Sequence, residues 1–187
     1  MKSKKAVFFD RDGVINVEKN FILSPEQMEL IEGASEAVRN INESDFLAVL
    51  FTNQSAVARN ILTINELEKI HQKMKIDLEQ TGASFDAIYF CPHHPGLNMK
   101  GVNPDFIMDC ECRKPKPGML LQAAKDLDID LAKSFVIGDA DRDIQAGKDA
   151  GCTTIGVRTG KNIETFDIQP DYIFDNVLQA VRFILRQ

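Results

Sequence analysis

Short apolar runs that stop abruptly on polar residues recur along this chain, and segments of helical period fill the spaces between them. Residues 6–9, 46–51, 85–90, 134–137 and 153–157 are such runs, with 172–174 a shorter one. A run that is apolar at every position, rather than at alternate ones, belongs to a strand covered on both faces. Helical patterns lie at 34–42, 63–80, 119–127, 141–150 and 177–185. Thr63 followed by Glu66 makes a capping box at the start of the second, Pro117 stands near the start of the third, and Gly151 closes the fourth. Such alternation predicts an α/β chain, a Rossmann-like parallel sheet with helices on both faces. The sequence shows no internal repeat, low-complexity tract or clear linker. The expectation is one domain, 1–187, with a Pro/Gly-rich loop at 91–117 inserted.

Charge narrows the partners. Lys and Arg number 22 against 28 Asp and Glu, a formal net charge of −6, so there is no global attraction to nucleic acid or to an anionic membrane. An anionic ligand would have to be drawn by a local basic cluster. The N-terminal Met1-Lys2-Ser3-Lys4-Lys5 is basic, but the apolar stretch behind it is short and ends in charges, unlike a signal peptide. No segment approaches the length of a membrane span. A cytoplasmic protein is expected, and a monomer, since no apolar stripe demands a partner.

The polar residues that end the apolar runs carry the chemistry. The first run ends on Asp10-Arg11-Asp12-Gly13. Ligands of open α/β sheets bind beyond the carboxyl ends of the strands, which places Asp10 and Asp12 at the mouth of a crevice. Two anions there call for a hard divalent cation such as Mg²⁺; the alternative is an ordinary acidic turn. The second run ends on Thr52-Asn53-Gln54-Ser55, leading towards a helix. That is either an anion-binding turn or a plain helix N-terminus. The fourth ends on Gly138-Asp139, with Asp143 on the entry side of the next helix, where acids are common for macrodipole reasons. Between the third and fourth runs lies Arg113-Lys114-Pro115-Lys116, either a solvated basic face or a stiffened cation holder.

A second cluster, Cys91-Pro92-His93-His94 followed by Cys110-Glu111-Cys112, has the C-x-H and C-x-C spacing of a closed, structural Zn²⁺ site. Disulfides and unconnected surface residues are the alternatives. A chain without an export signal keeps its thiols reduced, which favours metal. Spacing prefers His93, with His94 as a replacement ligand or a substrate contact, and Cys152 reads as an inert core thiol. A metal clip would order a loop too long to order itself, and would deliver Arg113 and Lys114 to the sheet edge.

Taken in order, Phe9-Asp10-Arg11-Asp12-Gly13, Thr52-Asn53, Arg113-Lys114-Pro115 and Gly138-Asp139 with Asp143 resemble the four motifs of the haloacid dehalogenase superfamily of phosphatases. The resemblance implies an aspartyl-phosphate mechanism. Asp10 would be the nucleophile and Asp12 the general acid and then base. Thr52 and Lys114 would bind the phosphoryl oxygens, and Asp10, Asp139 and the backbone carbonyl of Asp12 would hold Mg²⁺. Asp10 should raise the proton affinity of Asp12, while the metal lowers that of Asp10. The chain leaves no room for a large cap domain between motifs. Specificity would fall to a flap at 18–25 and to the zinc loop.

The zinc loop, with Asn53, Gln54, Ser55, Arg59 and Arg113 as substrate-binding candidates, resembles the bacterial D-glycero-D-manno-heptose 1,7-bisphosphate 7-phosphatases more than the sister histidinol-phosphate phosphatases. The implied ligand is a small phosphorylated sugar with a second anionic end, which extra arginines favour over a cationic amine. The heptose family usually carries Gly-Tyr where this chain has Asn20-Phe21, and glycine at the positions of Ala56 and Asn60. Ala140 stands where many relatives are polar or basic. A histidinol or other sugar phosphate, or a catalytically silent module of the same fold, are the competing readings. A nucleic-acid-binding zinc module is disfavoured by the acidic charge.

Overall fold

A computed structural model describes residues 3–96, 100–161 and 163–187. Met1 and Lys2 of the basic N-terminal segment, and residues 97–99 of the expected zinc loop, lie outside the described residues. Six strands form one parallel sheet: β1 (Lys5–Phe9), β2 (Phe46–Asn53), β3 (Ala87–Cys91), β4 (Phe135–Gly138), β5 (Thr153–Val157) and β6 (Tyr172–Phe174). Their spatial order is β3-β2-β1-β4-β5-β6. The helices are α1 (Ala34–Asn42), α2 (Ile64–Glu79), α3 (Gly118–Leu127), α4 (Asp141–Ala150) and α5 (Val177–Ile184).

Side chains alternate across the pleat and feed two cores. Val7 and Phe9 of β1 join Leu50, Ile137 and Ile155 in a cluster with α1, α2 and α5. Ala6 and Phe8 point the other way and join Val49, Phe51 and Val136 with α3. Phe8 meets Phe51 edge-on at 6.3 Å, and Phe9 meets Phe85 at 5.9 Å. The uninterrupted apolar run of β1 is thus covered on both faces, as its sequence pattern requires. The capping box of α2 is formed: Thr63 Oγ1 accepts the Glu66 N–H at 3.2 Å, and Glu66 accepts the Thr63 N–H at 2.7 Å. Such a cap is worth about 1 kcal/mol.

Chain direction across the sheet reverses between β1 and β4, because β2 and β3 extend to one side and β5 and β6 to the other. Open sheets bind ligands at such a switch point, beyond the strand carboxyl ends. Several boundaries shift by a residue from the sequence reading, β3 begins two residues later than expected, and two differences bear on the site. β2 runs past Phe51, since Thr52 and Asn53 pair with Phe90 and Cys91 of β3. A parallel ladder is made of backbone bonds, which polar side chains do not end. The segment after Ser55 is a series of turns, and α2 begins only at Ile64, so Thr52 to Ser55 is not a helix N-terminus. Among the described residues, no helix is long and apolar enough to cross a membrane.

Candidate active site

The carboxyl ends of β1, β2 and β4 bring their terminal residues together. Asp10 leaves β1, and its N–H bonds the Ile137 carbonyl of β4 at 3.0 Å. Asp139 follows β4. Asp143, in the first turn of α4, accepts the Ala140 N–H at 3.0 Å. Carboxylate oxygens of Asp10, Asp139 and Asp143 all lie within 4.8 Å of one another, and all three residues are buried. Lys114 reaches this acidic group from the loop before α3. Its Nζ lies 2.8 Å from Asp10 Oδ1, 2.7 Å from Asp143 Oδ1 and 3.1 Å from the Phe51 carbonyl, with the Phe51 ring beneath it at 4.2 Å. The side chain of Asn53 fixes that loop: it donates to the Lys114 carbonyl at 3.0 Å and accepts the Lys114 N–H at 3.1 Å.

Electrostatics at this point are unbalanced. Burial, then the charge of Asp143, push the Asp10 carboxyl up to about 6 in spite of Lys114 and Arg142. Burial, then Asp10 and Asp143, push Asp139 up to about 8. Asp139 Oδ1 is buried without a hydrogen-bond partner among the described residues. Backbone crowds the same carboxylate. A Cβ on Gly13 would come within 2.4 Å of its Oδ2, and one on Gly160 within 1.9 Å. Clustered anions, an orphaned oxygen and a side-chain-free wall fit a hard divalent cation.

Asp12 differs from its sequence expectation. Burial raises its carboxyl, but the Arg11 guanidinium and hydrogen bonds from Asn16, Arg11 and Gln54 outweigh that and hold it below the usual carboxylate range. Asn16 Nδ2 donates to Oδ1 at 2.9 Å, and Gln54 Nε2 to Oδ2 at 2.9 Å. The expected rise driven by Asp10 is therefore overturned by donors from Arg11, Asn16 and Gln54.

Next to this acidic group opens a cavity of about 500 Å³, lined by Asp10, Asp12, Thr52, Gln54 and Ser55 and by the cations Arg59, Arg113, Arg142 and Lys161. Glu18, Asn20 and Phe21 of the flap close one side, and the Arg59 guanidinium lies 5.6 Å from the Phe21 ring centre. Gln54 also donates to Thr52 Oγ1 at 2.8 Å. Sequence reasoning singled out all of these cavity residues except Arg142 and Lys161. A signal existed for the first. A cation in the first turn of a helix opposes the macrodipole, so Arg142 between Asp141 and Asp143 asks for an anionic neighbour. Lys161 is placed by its N–H, which bonds Asp139 Oδ2 at 3.2 Å, and no local pattern announces it.

Cys91, His93, Cys110 and Cys112 form the second cluster. Cys91 and Cys110 sulfurs are 3.6 Å apart, and those of Cys110 and Cys112 are 3.3 Å apart. His93 Nδ1 lies 3.7 Å from Cys91 Sγ and 3.3 Å from Cys112 Sγ. A disulfide needs sulfurs about 2.05 Å apart. A zinc tetrahedron instead has S–S edges of about 3.8 Å and N–S edges of about 3.5 Å, so the cluster fits a metal. His94 is not among the clustered ligands; its backbone pairs with the segment around Ile107, and burial, then the charges of Arg113 and Arg59, hold its ring below the usual imidazole range. Arg113, next to Cys112, donates from Nη1 to the His93 carbonyl at 2.9 Å. Loop frame and pocket lining therefore share one stretch of backbone.

This sheet order, with three strand ends and the Lys114 loop converging, defines a phosphatase fold of the haloacid dehalogenase class, and a HAD-hydrolase-like family model matches residues 111–180. A D-glycero-beta-D-manno-heptose-1,7-bisphosphate 7-phosphatase of Pasteurella multocida is 39% identical over 183 residues, 97% of each chain. Its counterpart in Escherichia coli K12 is 41% identical over 163 residues, 87% of this chain and 83% of that one. The crystal structure of a D,D-heptose 1,7-bisphosphate phosphatase from B. bronchiseptica, complexed with magnesium and phosphate, superposes with a TM-score of 0.85 at 34% identity, covering 97% of this chain and 98% of that one. The chain belongs to the family of D-glycero-beta-D-manno-heptose-1,7-bisphosphate 7-phosphatases.

Proposed function

We propose that the protein removes the 7-phosphate of D-glycero-D-manno-heptose 1,7-bisphosphate. The observation that carries this is the convergence of Lys114 and Asp139 on Asp10, which itself lines a cavity that also carries four cations. Asp10 is the nucleophile. Its Oδ1 is engaged by Lys114 at 2.8 Å and by the Arg11 N–H at 2.7 Å, which orients the carboxylate and leaves its second oxygen to attack phosphorus. As the Asp10–phosphorus bond forms, the bond to the sugar oxygen breaks and Asp12, which takes up its proton once the phosphate dianion beside it offsets the pull of Arg11, gives that oxygen a proton. Asp12 then takes a proton from the water that cleaves the acyl phosphate. Thr52 offers a hydroxyl to the phosphoryl group. Lys114 spends its donors on Asp10, Asp143 and Phe51, so a phosphoryl oxygen must share or displace one of these partners.

Asp10, Asp139 and the backbone carbonyl of Asp12 would hold Mg²⁺, which when bound neutralises phosphoryl oxygens that would otherwise repel a carboxylate nucleophile. Zn²⁺ would occupy the Cys91, His93, Cys110 and Cys112 cluster as a structural ion. Arg59, Arg113, Arg142 and Lys161 suit a second phosphate and repel the amine of histidinol phosphate. Ser55 and Gln54 line the same wall.

A phosphate-release screen over heptose bisphosphate anomers, histidinol phosphate and hexose phosphates tests the assignment. The heptose bisphosphate should give the highest kcat/KM, and Asp10→Asn should abolish turnover of every substrate. Normal turnover by Asp10→Asn would refute the mechanism, and preference for histidinol phosphate would refute the substrate.

A further inference from the structure

Arg11 stands between the two active-site aspartates, and the mechanism above makes no use of its side chain. That side chain is 1% exposed. A guanidinium withdrawn from water to this degree must be paired. Its Nη2 donates to both oxygens of Asp12, at 3.0 Å each, and Nε reaches Oδ1 at 3.3 Å. On its far side Nη1 lies 3.3 Å from His71 Nε2. His71 is a buried residue of α2, at 5% exposure, and its ring meets Phe90 edge-on at 5.5 Å. Burial, then the charge of Arg11, push His71 down to about 3. The ring is neutral, so Nε2 has a lone pair to accept the Nη1 proton and Nδ1 carries the hydrogen.

A chain of contacts therefore runs from α2, through His71 and Arg11, to the carboxylate of Asp12. Asn16 and Gln54 complete the hold from two further segments. A carboxylate with these partners cannot turn freely about its χ angles, and a two-pronged donor fixes its plane as well as its position. Lys cannot reproduce that fork.

We propose that Arg11 is a positioning residue for Asp12, and that His71 holds Arg11 in place, so that the Asp12 carboxylate presents one fixed orientation to the leaving oxygen and to the hydrolytic water. The inference rests on the reading of Asp12 as acid and base. It deepens that reading by naming what aims the group.

Its test separates proton transfer from the rest of the chemistry. An alkyl phosphate such as the heptose bisphosphate needs a proton on its leaving oxygen, whereas p-nitrophenyl phosphate releases a stable anion unaided. Arg11→Lys should keep its KM for the alkyl phosphate and lose about 10²-fold in kcat, the scale of general acid–base catalysis. On p-nitrophenyl phosphate, Asp10 should still form its bond to phosphorus while the nitrophenolate departs. Water then attacks slowly for want of an aimed base. Stopped-flow should therefore show a burst of one nitrophenolate per enzyme that the wild type lacks.

His71→Leu leaves Nη1 without its acceptor and should show the same pattern at about tenfold, the size of one hydrogen bond. His71→Gln returns an acceptor oxygen and should recover most of that loss. Should Arg11→Lys fail to fold, the His71 pair carries the test. Equal losses on both substrates without a burst, an unchanged kcat in Arg11→Lys, or identical behaviour of His71→Leu and His71→Gln would each overturn the inference alone. An active Asp10→Asn protein would overturn the underlying mechanism, and this inference with it.

Discussion

The ammonium of Lys114 faces inward, bound to Asp10, Asp143 and the Phe51 carbonyl with almost no exposure to water. A lysine so placed acts as a fixed positive charge beside Asp10, the proposed nucleophile, and Asp143 helps to fix it. Asp143→Asn keeps an oxygen to accept the Ala140 N–H but removes the charge that steers Lys114. We expect kcat to fall by about 10²-fold, the scale seen when one preorganised electrostatic partner is lost, with the melting temperature little changed; steady-state kinetics and thermal melting measure the two. Residue types here were legible in the sequence, because carboxylates at strand ends have a restricted set of uses. Their pairings were not. Nothing local shows that Arg11 folds back onto Asp12 and reverses the effect expected of Asp10, since that depends on Asn16, Gln54 and His71 arriving from other segments.

Among elements, the cysteine–histidine loop and the left-handed turns decide how the pocket is held open. Cys112 and Lys114 are separated by Arg113 alone, so disorder at the sulfurs passes directly to the ammonium. Cys110→Ser should lose zinc by metal analysis, exchange amide hydrogens faster across the loop, and lose activity without altering Mg²⁺ affinity. Asn20 and Asn60 have φ of 61° and 57°, a left-handed conformation in which Asn is the best tolerated residue after Gly. The sequence resemblance implies glycine at both positions, and Asn is a substitute that preserves such a backbone shape. Asn60→Val should cost about 1–2 kcal/mol and Asn60→Gly very little, measured by urea unfolding. The helices and strands were readable because period and capping residues are local signals. The extra length of β2 was not, because it follows from its pairing with β3 rather than from its own side chains.

For the molecule as a whole, an excess of acid, −6 overall, surrounds a cavity that carries four cations. Substrate capture is then governed by these cations and weakened by salt. Arg142→Gln with Lys161→Gln should raise KM for a bisphosphate about tenfold, the value of one charged contact. The same pair should change KM for a monophosphate far less; kinetics at two ionic strengths would check both effects. The parallel sheet was legible from the alternation of elements, and its switch point followed from the strand order, which no single segment encodes. The wall formed by Gly13 and Gly160 has a further consequence. Because Asp139 Oδ2 is pressed against the bare backbone of both glycines, neither position can gain even a methyl group without shifting the carboxylate. In a library that tries every amino acid at every site, positions 13 and 160 should return glycine and nothing else among active clones.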